Sequence, residues 1–156
     1  MMQAAQLDLP EDGRQSETAR EVARGTRRLL RALGISTVAE MRLGDGRRAD
    51  LVGVAPDGII TIVEIKSSIA DLRADQKWPF YQAYCDRLFF AVPVTMPAAI
   101  MPSDAGLIVA DAYGAEIVRH AEDQRLGSAT RKAMLIRFAR MAADRLHLLA
   151  DPEAPS

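Results

Sequence analysis

Two acidic residues and a lysine are of types that could bind a cation and act together on a substrate. Thirteen residues separate Asp50 from Glu64, and Lys66 follows two positions later. Clustered carboxylates either raise each other's pKa or hold a cation, and an isolated charge at Glu64, between Val63 and Ile65, would be expensive. The lysine is informative because arginine supplies most of the positive charge in this chain, and only a lysine shifts its pKa readily on burial.

The chain has few of the cysteine and histidine residues that other kinds of catalytic or metal centre require. The chain has one cysteine, Cys85, and two histidines, His120 and His147. A single cysteine can form neither an internal disulfide nor a multi-cysteine zinc site, and the histidines have no partner at ligand spacing. Ligands for a metal must then be mostly oxygen, so the expected cofactor is Mg²⁺ or Mn²⁺. The cysteine content also favours a reducing, cytoplasmic location.

The composition is that of an ordinary globular protein. The 156 residues are 49% hydrophobic and 26% charged, with a formal net charge of −1. This balance excludes a polybasic protein but not a local basic patch. We find no signal peptide and no apolar run that could span a membrane. We expect a disordered tail over 1–15, one domain over 16–150 and a disordered tail over 151–156.

The hydrophobic pattern predicts a mixed sheet covered by helices, in the order α-β-β-β-α-β followed by a hairpin and a long helix. Asp75 is the predicted cap of the second helix, which has Pro79 in its first turns. The predicted helices cover 17–33, 76–86 and 127 to about 149, and the predicted strands cover 36–43, 47–55, 59–68, 87–92, 106–112 and 115–121.

Two glycine-containing turns fix the pairing of the first three strands. With the turns centred on Asp45 and Asp57, Glu40 faces Asp50, and Asp50 faces Glu64. The next row contains Arg42, Arg48 and Lys66. Three carboxylates in one row repel each other, so the row indicates either a cation site or a network neutralised by the adjacent basic row.

Strand alternation divides these residues between two faces of the sheet. The odd-numbered face is apolar throughout, whereas the even-numbered face is apolar at one end and charged at the other. This pattern predicts a sheet that is partly covered by a helix, with a charged cleft where the cover stops. The odd-numbered set is Ala39, Met41, Leu43, Ala49, Leu51, Gly53, Thr61, Val63 and Ile65.

The spacing of Asp50 from the Glu64-Ile65-Lys66 tripeptide resembles the core motif of the PD-(D/E)xK nuclease superfamily. The element order is also similar to the restriction-endonuclease-like core of that superfamily. The segments GRRADLVGV, IVEIKSS, ADQKWPFYQAYCDRLFFAV and GLIVADA look more closely like the MmcB-type bacterial DNA-repair proteins. The resemblance implies an α/β fold of this kind, and a role in DNA repair.

The resemblance also implies the roles of the site residues. Asp50 and Glu64 would bind the metal, with the Ile65 carbonyl as a further ligand. Lys66 would orient or help to deprotonate the attacking water and would stabilise charge. The metal would lower the pKa of that water and neutralise charge in the transition state. Glu40, opposite Asp50, would support the metal site. Catalysis would thus rest on Asp50, Glu64 and Lys66.

Further residues are candidates for accessory roles or for DNA contact. By resemblance, Glu21 on the first helix and Gln76 are accessory candidates, although a surface salt bridge is the simpler role for Glu21. We expect phosphate contacts from Arg42, Arg48 and Lys77. Trp78 could stack on a base, although packing against the sheet is the alternative that its surroundings favour.

These observations leave three hypotheses about function. The first is a metal-dependent DNA nuclease acting in repair. The second is a nuclease-fold module that binds DNA or another repair protein without cutting. The third is a small ligand-binding α/β protein whose carboxylate row is structural, although no glycine-rich phosphate loop supports it. The small size and low net charge favour action within a complex or as a homodimer.

Overall fold

The computed structural model describes residues 16–75 and 77–153, which form a six-stranded mixed sheet with strand order β1-β2-β3-β4-β5-β6. The expected α/β architecture is confirmed. The strands are β1 (Ser36–Arg42), β2 (Arg48–Val54), β3 (Ile60–Ile65), β4 (Arg87–Val92), β5 (Gly106–Ala110) and β6 (Ala115–Arg119). The helices are α1 (Glu17–Ala32), α2 (Ile69–Ala74), α3 (Trp78–Tyr81) and α4 (Ser128–Ala150), with 3-10 turns at Gln82–Tyr84 and Ala98–Ile100.

The predictions for residues 1–15, for Gln76 and for residues 154–156 lie outside the described residues. Within the described ranges, no helix is long and apolar enough to cross a lipid bilayer.

Two apolar clusters, one on each side of the sheet, hold the helices in place. On one side α1 packs through Val22 and Leu30 against Leu51, Val63 and Phe89. On the other side α4 packs through Met134, with half-buried side chains of the same helix around it. The charged ends of β2 and β3 therefore lie in a sheet whose central part is covered on both faces.

A close approach fixes the position of α1 on its face of the sheet. A Cβ atom at Gly25 would lie 2.0 Å from the Asp111 carbonyl oxygen and 2.4 Å from that of Gly114. These carbonyls belong to the turn between β5 and β6, so only glycine allows the helix to contact this turn.

The predicted register of the first three strands is confirmed for the residues that pair, but the predicted pairs Glu40–Asp50, Asp50–Glu64 and Arg48–Lys66 are not among them. Every β1–β2 partner obeys the turn centred on Asp45, from Ser36 opposite Val54 to Arg42 opposite Arg48. The β2–β3 partners follow the register of a turn centred on Asp57, from Val54 opposite Ile60 to Leu51 opposite Val63. Beyond β3 the pairing is parallel between β3 and β4 and between β4 and β5, and it is antiparallel again between β5 and β6.

The predicted division of side chains between the two faces is wrong at the outer ends of β1 and β2. Met41, Leu43 and Ala49 pack in the α4-side cluster, not with the odd-numbered residues Leu51 and Val63. The change occurs at Glu40, whose φ of 52° lies in the left-handed region and interrupts the strand alternation. Alternation then places Arg42 and Arg48 on the opposite side from their predicted face.

The segment after β3 also differs from prediction. The strand predicted over 59–68 ends at Ile65, because the Ser68 hydroxyl accepts a hydrogen bond from the Asp71 N–H and caps α2. The single helix predicted over 76–86 is the four-residue α3 followed by a 3-10 turn, with Pro79 in the first turn of α3. The carboxylate of Asp75, between α2 and α3, accepts a 2.7 Å hydrogen bond from the Lys77 N–H.

Candidate active site

The side chains of Asp50 and Glu64 lie where the β2–β3 ladder opens. Asp50 Oδ2 accepts a 2.8 Å hydrogen bond from the Ile65 N–H, and Glu64 Oε1 accepts a 3.2 Å hydrogen bond from the Asp50 N–H. These carboxylates bind N–H groups of the two strands just beyond the Leu51–Val63 pair. The two predicted residues therefore meet at the fork between the strands, and each is fixed by a backbone donor.

Burial makes this pair of carboxylates costly to ionise. Glu64 is only 3% exposed. Burial, and then the neighbouring Asp50, raise the pKa of Glu64 well above its usual value. The pKa of Asp50 is also raised, mainly by burial. The pair is stabilised by a shared proton or by a bound cation, and either removes the repulsion.

Lys66 is buried beside the pair and is held by a third carboxylate. Its Nζ lies 2.6 Å from Asp75 Oδ2. Burial on its own lowers the pKa of Lys66, but the hydrogen bond and charge of Asp75 outweigh it, so the pKa is raised. The resemblance implied that this lysine would orient or help to deprotonate the attacking water and stabilise charge. The raised pKa favours the last of these roles, because a protonated ammonium stabilises negative charge but accepts no proton.

Two acidic residues of the site were missed as such in the sequence. Asp75 binds Lys66, and Asp71 accepts a 3.0 Å hydrogen bond from the Ser67 N–H while its charge acts on both Asp50 and Lys66. The signal for Asp71 was present, because Ser68 and Asp71 have the spacing of a helix capping box. That box begins α2 directly after β3 and brings Asp71 to the fork.

Glu40 does not join a three-carboxylate centre. Among residues 16–75 and 77–153, no three acidic, histidine or cysteine side chains are grouped so as to hold a metal ion. The left-handed backbone of Glu40 accounts for this, because it changes the direction of the side chain. The carbonyl of Glu40 accepts a 3.2 Å hydrogen bond from Arg145, which also bonds the Ala39 carbonyl.

The alternative that the adjacent basic row neutralises the carboxylates is met in part, by Lys66. Burial raises the pKa of Asp50 and of Glu64, and the charge of Lys66 acts in the opposite direction on both. Arg42 is exposed and Arg48 is half-buried, and the salt bridge at this fork is the one between Lys66 and Asp75. The two arginines remain candidates for contact with a phosphate backbone, as does the exposed Lys77.

Of the remaining predicted residues, the structure describes Trp78 and Glu21. Trp78 packs edge-on against Phe90, with ring centroids 5.5 Å apart. This agrees with the expectation that Trp78 packs against the sheet and does not stack on a base. Phe90 is the β4 partner of Glu64. Glu21 is exposed on α1, and Gln76 is outside the described residues.

The donor set fits a hard divalent cation. Mg²⁺ in proteins is commonly held by one or two carboxylates, with water and substrate phosphate completing its octahedron. Asp50 and Glu64 supply two carboxylates whose charge repulsion a cation would remove, and the resemblance to the nuclease motif implies the Ile65 carbonyl as a third ligand. These three groups could hold Mg²⁺ or Mn²⁺, with Lys66 beside them.

Comparison with known proteins identifies the family. The profile of the MmcB-like family of DNA repair proteins matches residues 7–153. A solved structure of a protein of unknown function from Silicibacter pomeroyi is 45% identical, with a TM-score of 0.87, and the match covers 91% of this chain and 97% of that one. No curated protein matches this chain. The extent of the family match shows that the chain belongs to the MmcB-like DNA repair proteins.

Proposed function

We propose that this protein hydrolyses DNA phosphodiester bonds at the fork between β2 and β3, with Mg²⁺ or Mn²⁺ as cofactor. The observation that carries the proposal is the pair of half-buried Asp50 and buried Glu64, whose carboxylates lie together beside the Lys66 ammonium, with no salt bridge to an arginine among the described residues. The membership in a DNA-repair family makes DNA the expected substrate.

The chemistry is the addition of water to a phosphodiester. A water oxygen attacks the phosphorus, the bond from phosphorus to the leaving sugar oxygen breaks, and the leaving oxygen takes up a proton. The divalent cation, when bound, supplies Lewis-acid activation of the water and stabilises the charge on the phosphoryl oxygens. Asp50 and Glu64 would hold the cation, and one oxygen of each carboxylate is already fixed by a backbone N–H group, that of Ile65 for Asp50 and that of Asp50 for Glu64.

Lys66 contributes through its charge. Because Asp75 raises its pKa, the ammonium remains protonated and can stabilise the negative charge that develops on the phosphoryl oxygens. Asp75 is a positioning residue, since its carboxylate holds Nζ at a distance of 2.6 Å. Proton removal from the attacking water is then a task for the carboxylates or for solvent.

Basic side chains near the fork are suited to hold the DNA backbone. Arg42 and Lys77 are exposed, and Arg48 is half-buried at the start of β2. We expect alanine at each of the three positions to weaken DNA binding for all sequences alike. Each loss of one phosphate contact should reduce the slope of log affinity against log salt by about 1. Fluorescence anisotropy over a salt series measures this slope, and a slope unchanged in all three variants would remove these residues from the interface.

The proposal is tested by incubating the purified protein with single-stranded, duplex and branched DNA in the presence of Mg²⁺, Mn²⁺ or a chelator. We expect cleavage of at least one substrate with a metal and none with the chelator. Asp50→Asn, which keeps the size of the side chain and removes its charge, is the matched control and should not cut. Salt-dependent DNA binding without cleavage under every condition would favour a non-cutting repair module. No DNA binding at all would favour a protein-binding or small-ligand role.

A further inference from the structure

One aromatic side chain near the fork is not used by the core. The segment from Trp78 to Tyr81 contains three aromatic residues. Trp78 packs on Phe90, and Tyr81 is 7% exposed with its hydroxyl donating to the Arg48 carbonyl at 3.0 Å. Phe80, in contrast, is 53% exposed. An aromatic ring this open on a four-residue helix is available to a ligand.

The guanidinium of Arg47 stacks on the exposed Phe80 ring. The Arg47 Cζ atom lies 4.0 Å from the centroid of the Phe80 ring. Arg47 is held in this position by Asp45, which accepts hydrogen bonds from the backbone N–H and from the guanidinium of Arg47. The planar group and the ring therefore form one fixed, exposed stack.

This stack lies beside the proposed cutting site. Arg47 directly precedes β2, and Asp50 is three residues further along the chain, which is about 10 Å in an extended strand. Tyr81, next to Phe80, connects α3 to the first residue of β2 through its hydrogen bond with Arg48. Arg47, Asp50 and Glu64 all lie within electrostatic reach of Tyr81.

We propose that Arg47 and Phe80 form a stacking platform for an unpaired nucleobase, so that the substrate has single-stranded character next to the bond that is cut. Aromatic rings and arginine planes are the groups on which single-stranded bases stack, and the exposed Lys77 could contact the adjoining phosphate. A continuous duplex has no free base face to offer. The proposal rests on the DNA-directed function of the fork, because its location there is what makes a nucleobase the expected ligand.

The test is binding to oligonucleotides with the metal chelated, so that no cleavage interferes. The probes are a fluorescently labelled single strand, the same strand with abasic positions, and the corresponding duplex. The variants are Phe80→Ala, Phe80→Tyr and Arg47→Lys. Tyr113→Ala is the control, since Tyr113 is 80% exposed on the turn between β5 and β6.

We expect Phe80→Ala to bind the single strand about 5- to 100-fold more weakly than the wild-type protein, and the duplex equally well. Phe80→Tyr should restore binding, Arg47→Lys should lose part of it, and Tyr113→Ala should change nothing. The abasic strand should bind Phe80→Ala and wild-type protein alike, because the stacked partner is missing from both. Melting temperatures should agree within a few degrees, since Phe80 is exposed.

Three results would overturn the platform: equal losses of single-strand and duplex binding in Phe80→Ala, no loss at all, or no single-strand binding by the wild-type protein. The outcome is separate from that of the proposed function. A protein that shows Phe80-dependent binding and never cuts keeps the platform and loses the nuclease. A protein that cuts with unchanged affinity in Phe80→Ala loses the platform and keeps the nuclease.

Discussion

Two buried carboxylate centres lie at the two ends of β3, and their surroundings are opposite. At the start of the strand, Asp86 accepts hydrogen bonds from the backbone N–H groups of Ile60 and Leu126 and two from the guanidinium of Arg131. At the end of the strand, Glu64 accepts one backbone hydrogen bond, and Asp50 exerts the strongest charge effect on it. The first carboxylate is saturated with donors, and the second faces another acid.

The pKa values follow from these surroundings. Burial alone would raise the pKa of Asp86, but the bonds from Arg131, Ile60 and Leu126 outweigh it and lower the pKa to about 2. At the other end, burial and Asp50 together raise the pKa of Glu64. A carboxylate with a lowered pKa stabilises the folded state at neutral pH, whereas one with a raised pKa destabilises it.

The difference teaches how a structural acid is distinguished from a functional one. Asp86 joins β3, β4 and the start of α4 and needs no ligand. The Asp50–Glu64 pair leaves a charge imbalance that a cation can remove, and buried acids with raised pKa values are typical of active sites. The comparison predicts that replacing the first centre damages stability and replacing the second damages activity.

The largest effect is expected at Asp86, on the free energy of unfolding. Asp86→Ala should lower the free energy of unfolding by about 3–5 kcal/mol, because Arg131 loses its buried partner and two backbone N–H groups lose their acceptor. Urea denaturation measures the loss. Asp123→Ala is the matched control, since it removes an exposed partner of Arg87 and should leave the urea midpoint nearly unchanged. Equal midpoints for the two variants would contradict the structural role of Asp86.

The next effect concerns Lys66, the lysine beside the Asp50–Glu64 pair. Lys66→Ala should reduce the metal-dependent cleavage rate about 100- to 1000-fold, the usual result of removing one electrostatic stabiliser. Lys66→Arg keeps the charge and should retain more activity than alanine. Asp75→Asn keeps the ammonium but loosens it, and its rate should lie between those of the wild-type protein and Lys66→Ala. Single-turnover rates measure the series, and a rate in Lys66→Ala equal to that of the wild-type protein would exclude the proposed role.

The smallest effect is a pH dependence that has opposite sign at the two centres. Without metal, the wild-type protein should lose stability relative to Glu64→Gln as pH rises above 4.5, the usual pKa of a glutamate. The reason is that the raised pKa of Glu64 makes its ionisation unfavourable in the folded state. At the other centre, the wild-type protein should have a higher free energy of unfolding than Asp86→Ala at neutral pH. This difference should shrink as pH falls from 3.8, the usual pKa of an aspartate, through about 2, the lowered pKa of Asp86. Chemical denaturation in chelating buffers at several pH values measures both trends. The same sign at both centres would contradict the comparison.

The sequence predicted much of this arrangement, because strand register depends on local turn geometry. The turns at Asp45 and Asp57 were enough to set the register of the paired strands, and Asp50 and Glu64 meet through side-chain hydrogen bonds just beyond the last pair of that register. The change of face at Glu40 could not be predicted, since a left-handed glutamate has no signature in residue type. The pairing of Lys66 with Asp75 depends on the way α2 folds back after β3, which is a tertiary effect.

The most direct test of the central claim is the cleavage rate of Glu64→Gln, measured with Mn²⁺ on a DNA that the wild-type protein cuts, in a preparation of known melting temperature. The account predicts a rate at least about 100-fold below that of the wild-type protein, with a melting temperature equal or higher because the buried repulsion is relieved. DNA affinity should persist, since the variant removes negative charge. A variant that cuts as fast as the wild-type protein, or one that loses activity only because it unfolds, would contradict the assignment of this carboxylate pair as the catalytic centre.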